Sequence, residues 1–477
     1  MRNLSMMTDL YELTMLYGYY KHGMTKRRAV FDLFFRRQGP CTYAVMAGLE
    51  QVREYLTQLH FSQDDVAYLR GLKIFDEGFL TWLHELRFEC DVDAVPEGTF
   101  VFPGEPLLRV EGPLAQAQLV ETALLNLIGH QTLIATKANR IVRAAQGGQV
   151  MEFGLRRAQG PDAGVLGARA AVIGGCSSTS NTMAGMAFDI PVSGTHAHSW
   201  VGSFPSELDA FRAYSACYPD SCLLLVDTYD TLRSGVPNAI TVFGELREKG
   251  HRPRGIRLDS GDLAYLSRKA RQMLDEAGFQ DAIICASNDL DEYLIRDLKL
   301  QGARIDLWGV GTKLITGGDS PALGGVYKLC AMEEDGVLAP RMKVSDNPEK
   351  ITLPGKKDIY RVYDTRGKAF ADLITLSDET VDESRPLTLF DPREVWKRTT
   401  MTDYCLRKLL QPFMRSGEYV GQPGSIHQIS LYRAQDEATI WDEQLRLVNP
   451  QPYKMDLSQK LWDLRHALLV KGGKAQA

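Results

Sequence analysis

The chain reads as an α/β protein built on a TIM-like βα barrel, with a mixed α/β, sandwich-like region before it and an extension after it. Three observations point there. Short apolar runs begin at Gly255, Ala282 and Ile305, a spacing of 23 to 27 residues, which is the period of one strand plus one helix. Helical patterns fill the intervals, at Asp262–Ala277 and Asp291–Leu300. Polar and glycine-rich clusters follow the runs, where a barrel builds its mouth. An open doubly wound sheet has the same period and is the alternative, although no GxGxxG follows a strand. The expected domains are 1–147 (α/β with sandwich elements), 148–335 (the barrel) and 336–477, a C-terminal region packing back on the other two.

In chain order, Leu10, Leu13, Leu16, Tyr17 and Tyr20 fall at helical spacing behind a Thr8-Asp9 cap. Residues 29–36 alternate as a strand, and 48–85 read as helices with Phe79, Trp82 and Leu83 in the core. Residues 91–112 are short strands broken by Pro-Gly turns. The pattern over 114–146 is one long helix with a break expected near Gly129. Further apolar runs at Val150–Phe153 and Cys222–Val226 join the three at 255, 282 and 305 as barrel strands. Beyond 335 the pattern loosens into charged turns and short strands such as Asp358–Tyr363. It ends in a helix, Lys460–Val470, and a Lys/Gly/Ala tail expected to be disordered.

At 477 residues the chain exceeds one ordinary core. A net charge of -5 without a basic arm argues against nucleic acid as partner. The cysteines (Cys41, Cys90, Cys176, Cys217, Cys222, Cys285, Cys330, Cys405) contain no C-x-x-C pair, which excludes a zinc knuckle and suits reduced thiols. The N-terminus reaches Asp9 before any signal-peptide apolar core develops. No run approaches the ~18 apolar residues of a membrane span. A cytoplasmic protein is expected.

The strand ends carry the chemistry. Phe153 leads to Gly154-Leu-Arg156-Arg157, Val226 to Asp227-Thr-Tyr-Asp230, and Leu258 to Asp259-Ser-Gly-Asp262. Cys285 leads to Ala286-Ser-Asn-Asp289, Trp308 to Gly309-Val-Gly-Thr-Lys313, and Gly324-Gly-Val-Tyr-Lys328 follows. Any one aspartate can be a helix cap; the set describes a mouth with carboxylates, arginines and exposed N–H groups. Glycine loops at helix starts suit a terminal phosphate, with Lys313 or Lys328 as a point charge. Arg156, Arg157 and Arg257 suit carboxylate or pyrophosphate. The stretch Ser193-Gly-Thr-His-Ala-His-Ser-Trp-Val-Gly202 adds two imidazoles, His196 and His198, among hydroxyls and glycines. Either can be catalytic or structural on this pattern alone. Leu223–Thr231 is superficially like the acidic loop of type I phosphoribosyltransferases, but its acids are three apart and the expected phosphate loop does not follow.

An ordered set of segments resembles the nicotinate phosphoribosyltransferase family. They are Thr8-Asp-Leu-Tyr-Glu-Leu-Thr-Met15, Phe31-Asp-Leu-Phe-Phe-Arg-Arg37, Glu152-Phe-Gly-Leu-Arg-Arg-Ala-Gln159, Ser193-Gly-Thr-His-Ala-His-Ser-Trp200, Ile256-Arg-Leu-Asp-Ser-Gly-Asp262 and Val310-Gly-Thr-Lys-Leu314. The resemblance runs from residue 8 to about 330; beyond that it is carried by length alone.

The resemblance implies a type II phosphoribosyltransferase fold with an irregular barrel, and a homodimer with sites at the subunit interface. It implies that nicotinate and phosphoribosyl pyrophosphate give nicotinate mononucleotide and pyrophosphate, coupled to ATP hydrolysis through a phosphohistidine. The matching Ala197-His198-Ser199 triplet makes His198 the acceptor, with Asp227 orienting its ring and Asp259 holding ribose hydroxyls. Tyr11 and Phe153 would sandwich the pyridine ring. Arg257 and Thr195 would meet the carboxylate, with Arg156 nearby. Gly309, Gly324 and Gly325 would carry the 5′-phosphate, and Arg36 would reach phosphates in the partner subunit's site. Mg2+ would arrive on the substrate phosphates, its protein ligands unassigned. The nicotinamide enzyme of the same fold carries an aspartate where this chain has Asn181; a neutral amide donor there would suit the acid. A phosphate-binding sensor without catalysis is the alternative of another class.

Overall fold

The computed structural model describes residues 3–37, 42–345, 347, 350–422 and 424–474. Cys41 and the tail's last three residues lie outside the described residues. The chain forms two compact units, Met1–Leu133 with Ala322–Ala477, and Ile134–Pro321.

The first unit is organised by a seven-stranded sheet, antiparallel throughout. Arg28–Phe35 pairs on one side with Leu108–Pro113 and on the other with Gly325–Glu334. The boundary expected at 335 therefore falls inside this unit, because the Gly325–Glu334 strand is held by that pairing rather than by barrel strands. A four-stranded sheet of Cys405–Lys408, Lys357–Tyr363, Ala369–Leu376 and Met455–Leu457 comes from the C-terminal third. Leu16, Phe31, Phe79, Leu83, Val110 and Ile359 share one core. Trp82, expected in that core, is only partly buried against it. The long helix is divided at Val120, between Leu114–Leu119 and Glu121–Ala144, and runs unbroken through Gly129. A lone glycine costs a helix only about 1 kcal/mol, too little to end one. The final helix extends from Gln459 to Lys474, beyond its expected end and into the tail.

The second unit holds six parallel strands: Gln149–Glu152, Ser178–Thr179, Leu223–Leu225, Gly255–Leu258, Ile283–Asn288 and Leu307–Val310. Leu307–Val310, last in the chain, pairs with Gln149–Glu152, the first. Joining last strand to first is what a barrel requires and what the doubly wound alternative lacks. The barrel has fewer strands than the eight of a regular TIM barrel. Its interior is small: Met151, Leu223, Cys285 and Leu307 pack together, with Phe153 and Ile283 beside them. Helices follow the strands, two of them capped by aspartates, one weighed as a cap from the sequence (Asp262) and one not (Asp291). Asp262 accepts from the N–H groups of Ala264 and Tyr265, and Asp291 from those of Tyr293 and Leu294. Asp289, weighed as a cap, is not the N-cap of the next helix, and its N–H donates to Asn288 Oδ1.

Candidate active site

The carboxyl ends of the barrel strands bring His198, Asp227, Arg257 and Asp259 together. Arg257 lies within its strand and Asp259 just past the end of it. Arg257 Nη2 donates to Asp259 Oδ1 (3.0 Å), and its Nε donates to Ser287 Oγ (2.8 Å). Ser287 in turn donates to Asp259 Oδ1, so three groups close a ring of hydrogen bonds. Burial pushes the Asp259 carboxyl up, but Ser287 and Arg257 outweigh it and hold the group below the usual carboxylate range. Asp259 is therefore an anion at neutral pH. Its Oδ2 faces His198 Nε2 at 3.8 Å.

His198 opens a short helix, His198–Gly202, with Ala197 at its N-cap. Its side chain is 46% exposed, and its Nδ1 is 3.1 Å from Thr228 Oγ1. The ring's hydrogen-bonding partner is thus Thr228, not the adjacent Asp227 expected to orient it. Asp227 acts one step away: its Oδ2 accepts from the Asp259 N–H (2.8 Å) and from Ser260 Oγ (2.6 Å), fixing the loop that presents Asp259. Asp227 Oδ1 is buried without a hydrogen-bond partner among the described residues. The loop's far end returns tightly, because a Cβ on Gly235 would lie 1.8 Å from the Val226 carbonyl oxygen.

His196 is buried and differs in kind. Its Nε2 accepts the Leu225 N–H (3.2 Å), and its ring meets Tyr214 edge-on at 4.7 Å. Burial pushes its titration down to about 4, helped by the Arg257 guanidinium. A group so held is neutral and committed to the Leu225 N–H, whereas His198 is exposed at the strand ends.

Several expected contacts fall elsewhere. Thr195 Oγ1 donates to the Leu223 carbonyl (2.5 Å) and so is committed to the backbone. Asn181 is fully buried, its Oδ1 capping the Thr182–Phe188 helix at Ala184 N and its Nδ2 donating to the Gly164 carbonyl. One N–H of its amide is therefore committed to the backbone, and an aspartate there would set an anion against that carbonyl. Gly309 lies inside its strand, paired on both sides, rather than in a phosphate loop. Its missing side chain makes room for Phe153, whose ring carbons would be 2.7 Å from a Cβ. Arg156 and Arg157 are exposed on the single turn Leu155–Arg157. Lys313 lies 3.6 Å from Asp319.

Tyr11, Arg36, Gly324, Gly325 and Lys328 belong to the first unit. Tyr11 is half exposed on helix Leu10–Lys21. Arg36 N donates to the Gly324 carbonyl (3.2 Å), and Arg36 Nε is buried without a partner among the described residues. Gly324 has φ +73°, a conformation that favours glycine. Lys328 lies 3.7 Å from Glu121.

Three residues of the barrel mouth had no assigned role in the sequence. Ser287 and Thr228 stand inside the quoted strand-end clusters, but hydroxyls beside aspartates carry no distinctive spacing. Glu152 is fully buried, accepting from Thr179 Oγ1 (2.5 Å) and from the Gly154 N–H, and ties two strand ends together.

Among the described residues no group of three or more His, Cys, Asp or Glu side chains forms a metal site. No disulfide joins the described cysteines, and no helix of the described residues is long and apolar enough to cross a membrane.

Three family models match the chain. Residues 6–129 match the nicotinate phosphoribosyltransferase N-terminal domain, 148–353 the nicotinate phosphoribosyltransferase family, and 356–465 its C-terminal domain. The last match corrects the expectation that the final third resembles the family only in length. The nicotinate phosphoribosyltransferase of Bacillus subtilis is 48% identical over 464 residues, covering 96% of this chain and 94% of that protein. That of Caenorhabditis elegans is 37% identical, covering 98% and 93%. The crystal structure of human nicotinic acid phosphoribosyltransferase superposes with a TM-score of 0.86 at 32% identity, covering 97% of this chain and 99% of that one.

Proposed function

This chain belongs to the nicotinate phosphoribosyltransferase family, and we propose that it joins nicotinate to phosphoribosyl pyrophosphate at the mouth of its barrel, in the first step of NAD salvage from nicotinate. The observation that carries the site assignment is His198: half exposed, bound to Thr228 at one nitrogen, and facing the anionic Asp259 with the other.

The pyridine nitrogen of nicotinate attacks the anomeric carbon of the ribose as the bond to pyrophosphate breaks, so positive charge builds on the sugar. Asp259, held ionised by Arg257 and Ser287, is matched to that charge and to the ribose hydroxyls. The aromatic ring of Phe153, standing over Gly309, offers one face to the pyridine. Arg257, whose Nη1 makes only a 3.4 Å contact with the His196 carbonyl, is our choice for the carboxylate, with the exposed Arg156. Arg36 Nε and the Gly324-Gly325 backbone suit phosphate oxygens.

ATP is the proposed co-substrate. Its γ-phosphoryl group passes to an imidazole nitrogen of His198 as the bond to ADP breaks, and water later takes the group as phosphate. Magnesium prefers oxygen ligands and one or two carboxylates beside substrate phosphates, and the unpartnered Asp227 Oδ1 fits that donor type. Bound there, the ion would neutralise the departing pyrophosphate. The enzyme is taken to act as a cytoplasmic homodimer, as the family resemblance implies.

Incubation with γ-labelled ATP tests the phosphohistidine. The wild type acquires an acid-labile, base-stable label, and His198→Ala acquires none. Label of the same stability on His198→Ala would move the acceptor elsewhere.

A further inference from the structure

The barrel's ladder of backbone hydrogen bonds has a seam, and the His198 loop lies along it. Ser178–Thr179 continues its sheet only through an isolated parallel bridge from Thr179 to Val192, with Ser193 N donating to the Thr179 carbonyl (2.9 Å). On the other side, Leu223–Leu225 pairs by backbone only with Gly255–Leu258. Towards that strand point the Cys222 carbonyl, which accepts from Gly255 N, and Val226 N, which donates to the Arg257 carbonyl. The polar groups of Leu223 and Leu225 therefore point the opposite way, buried and in need of partners.

They find side chains. Thr195 Oγ1 donates to the Leu223 carbonyl at 2.5 Å, and His196 Nε2 accepts the Leu225 N–H at 3.2 Å. In a parallel sheet one residue donates its N–H to a neighbour's carbonyl and accepts the N–H two residues further along. Thr195 and His196 reproduce both bonds of one such rung, centred on Leu224, with a hydroxyl for the N–H and an imidazole nitrogen for the carbonyl. A backbone donor faces Nε2, so Nε2 is unprotonated and the ring proton is on Nδ1.

We propose that Thr195 and His196 form a side-chain rung that closes the barrel, and that His196 is a positioning residue for His198. Because side chains make the rung, the local backbone stays outside the ladder: the His196 carbonyl faces Arg257 Nη1 (3.4 Å), and Ala197 is released to start the His198 helix. The titratable and charged groups facing His196 are Arg257, His198 and Tyr214, and the Arg257 guanidinium opposes its protonation. The positioning role rests on His198 being the reactive imidazole; the rung itself does not.

The test uses the full-length enzyme. His196→Phe keeps the ring shape but cannot accept, and His196→Gln restores an acceptor. Hydrogen exchange at the Leu225 amide, read by mass spectrometry, is expected to quicken ~10-fold in His196→Phe, the scale of one lost buried hydrogen bond. kcat at saturating substrates falls by a similar factor with KM within about twofold, and His196→Gln recovers most of both. Thr195→Val, which removes the other half of the rung, shifts exchange and kcat in the same direction and serves if His196→Phe does not fold. Unchanged Leu225 protection in these variants removes the rung; lost protection with unchanged kcat removes the positioning role. A wild type that takes no label from ATP overturns the phosphohistidine reading, while the exchange result still decides the rung.

Discussion

Two charged regions of this molecule look alike in composition and differ in how their charges are matched. In the first unit, Arg361 is completely buried. It donates to both oxygens of Asp372 (2.9 and 2.7 Å), to Asp436 (3.3 Å) and to the Phe100 carbonyl (2.8 Å). Tyr453 donates to Asp372, Arg407 pairs with Asp436, and the guanidinium lies over the Phe102 and Tyr453 rings. Four of the five N–H donors of that guanidinium are committed to protein acceptors. At the barrel mouth, by contrast, Asp227 Oδ1 has no partner among the described residues and His198 Nε2 stands 3.8 Å from the Asp259 carboxylate. Charge density alone does not mark a site; groups that are aimed and incompletely satisfied do.

The largest effect that would break this comparison is on stability. Arg361→Ala leaves Asp372 and Asp436 buried without their main cation and is expected to cost about 3–5 kcal/mol in urea unfolding, while kcat per folded molecule is unchanged. A loss under about 1 kcal/mol would mean that the cluster is not holding the fold. The exposed His198 should behave oppositely: His198→Ala abolishes the label yet changes unfolding by less than about 0.5 kcal/mol.

A smaller effect sharpens the contrast between the two imidazoles. His196 titrates near 4 when folded, against about 6.5 in an unfolded chain. Between those values the unfolded state binds the extra proton, so stability falls as pH drops from about 6.5 through 4. Relative to His196→Phe, the wild type should lose on the order of 2 kcal/mol across that window. Parallel pH profiles for the two proteins would contradict the buried, neutral ring.

The barrel was legible because each strand and helix repeats at short range, and a hydrophobic period survives in the sequence. Asp227, Arg257 and Asp259 were legible for the same reason, as residues at or just past strand ends, whereas His198 was told from His196 only by the Ala-His-Ser triplet of the family resemblance. The Arg361 cluster was not, since its partners lie 11, 75 and 261 residues away in sequence. Asn181 and Thr195 show a second limit. A small polar side chain in a loop has the same letter whether it meets a substrate or a backbone group, and only the Gly164 and Leu223 carbonyls decide. Gly309 shows a third: the ring it makes room for, Phe153, lies on another strand.

The central claim concerns the base that this enzyme takes, and one assay meets it directly. The protein is supplied with phosphoribosyl pyrophosphate and Mg2+, with either nicotinate or nicotinamide, in the presence and absence of ATP, and pyrophosphate and mononucleotide are measured. The account predicts nicotinate mononucleotide with equimolar pyrophosphate, faster with ATP, and little product from nicotinamide. Turnover of nicotinamide with none of nicotinate would contradict it.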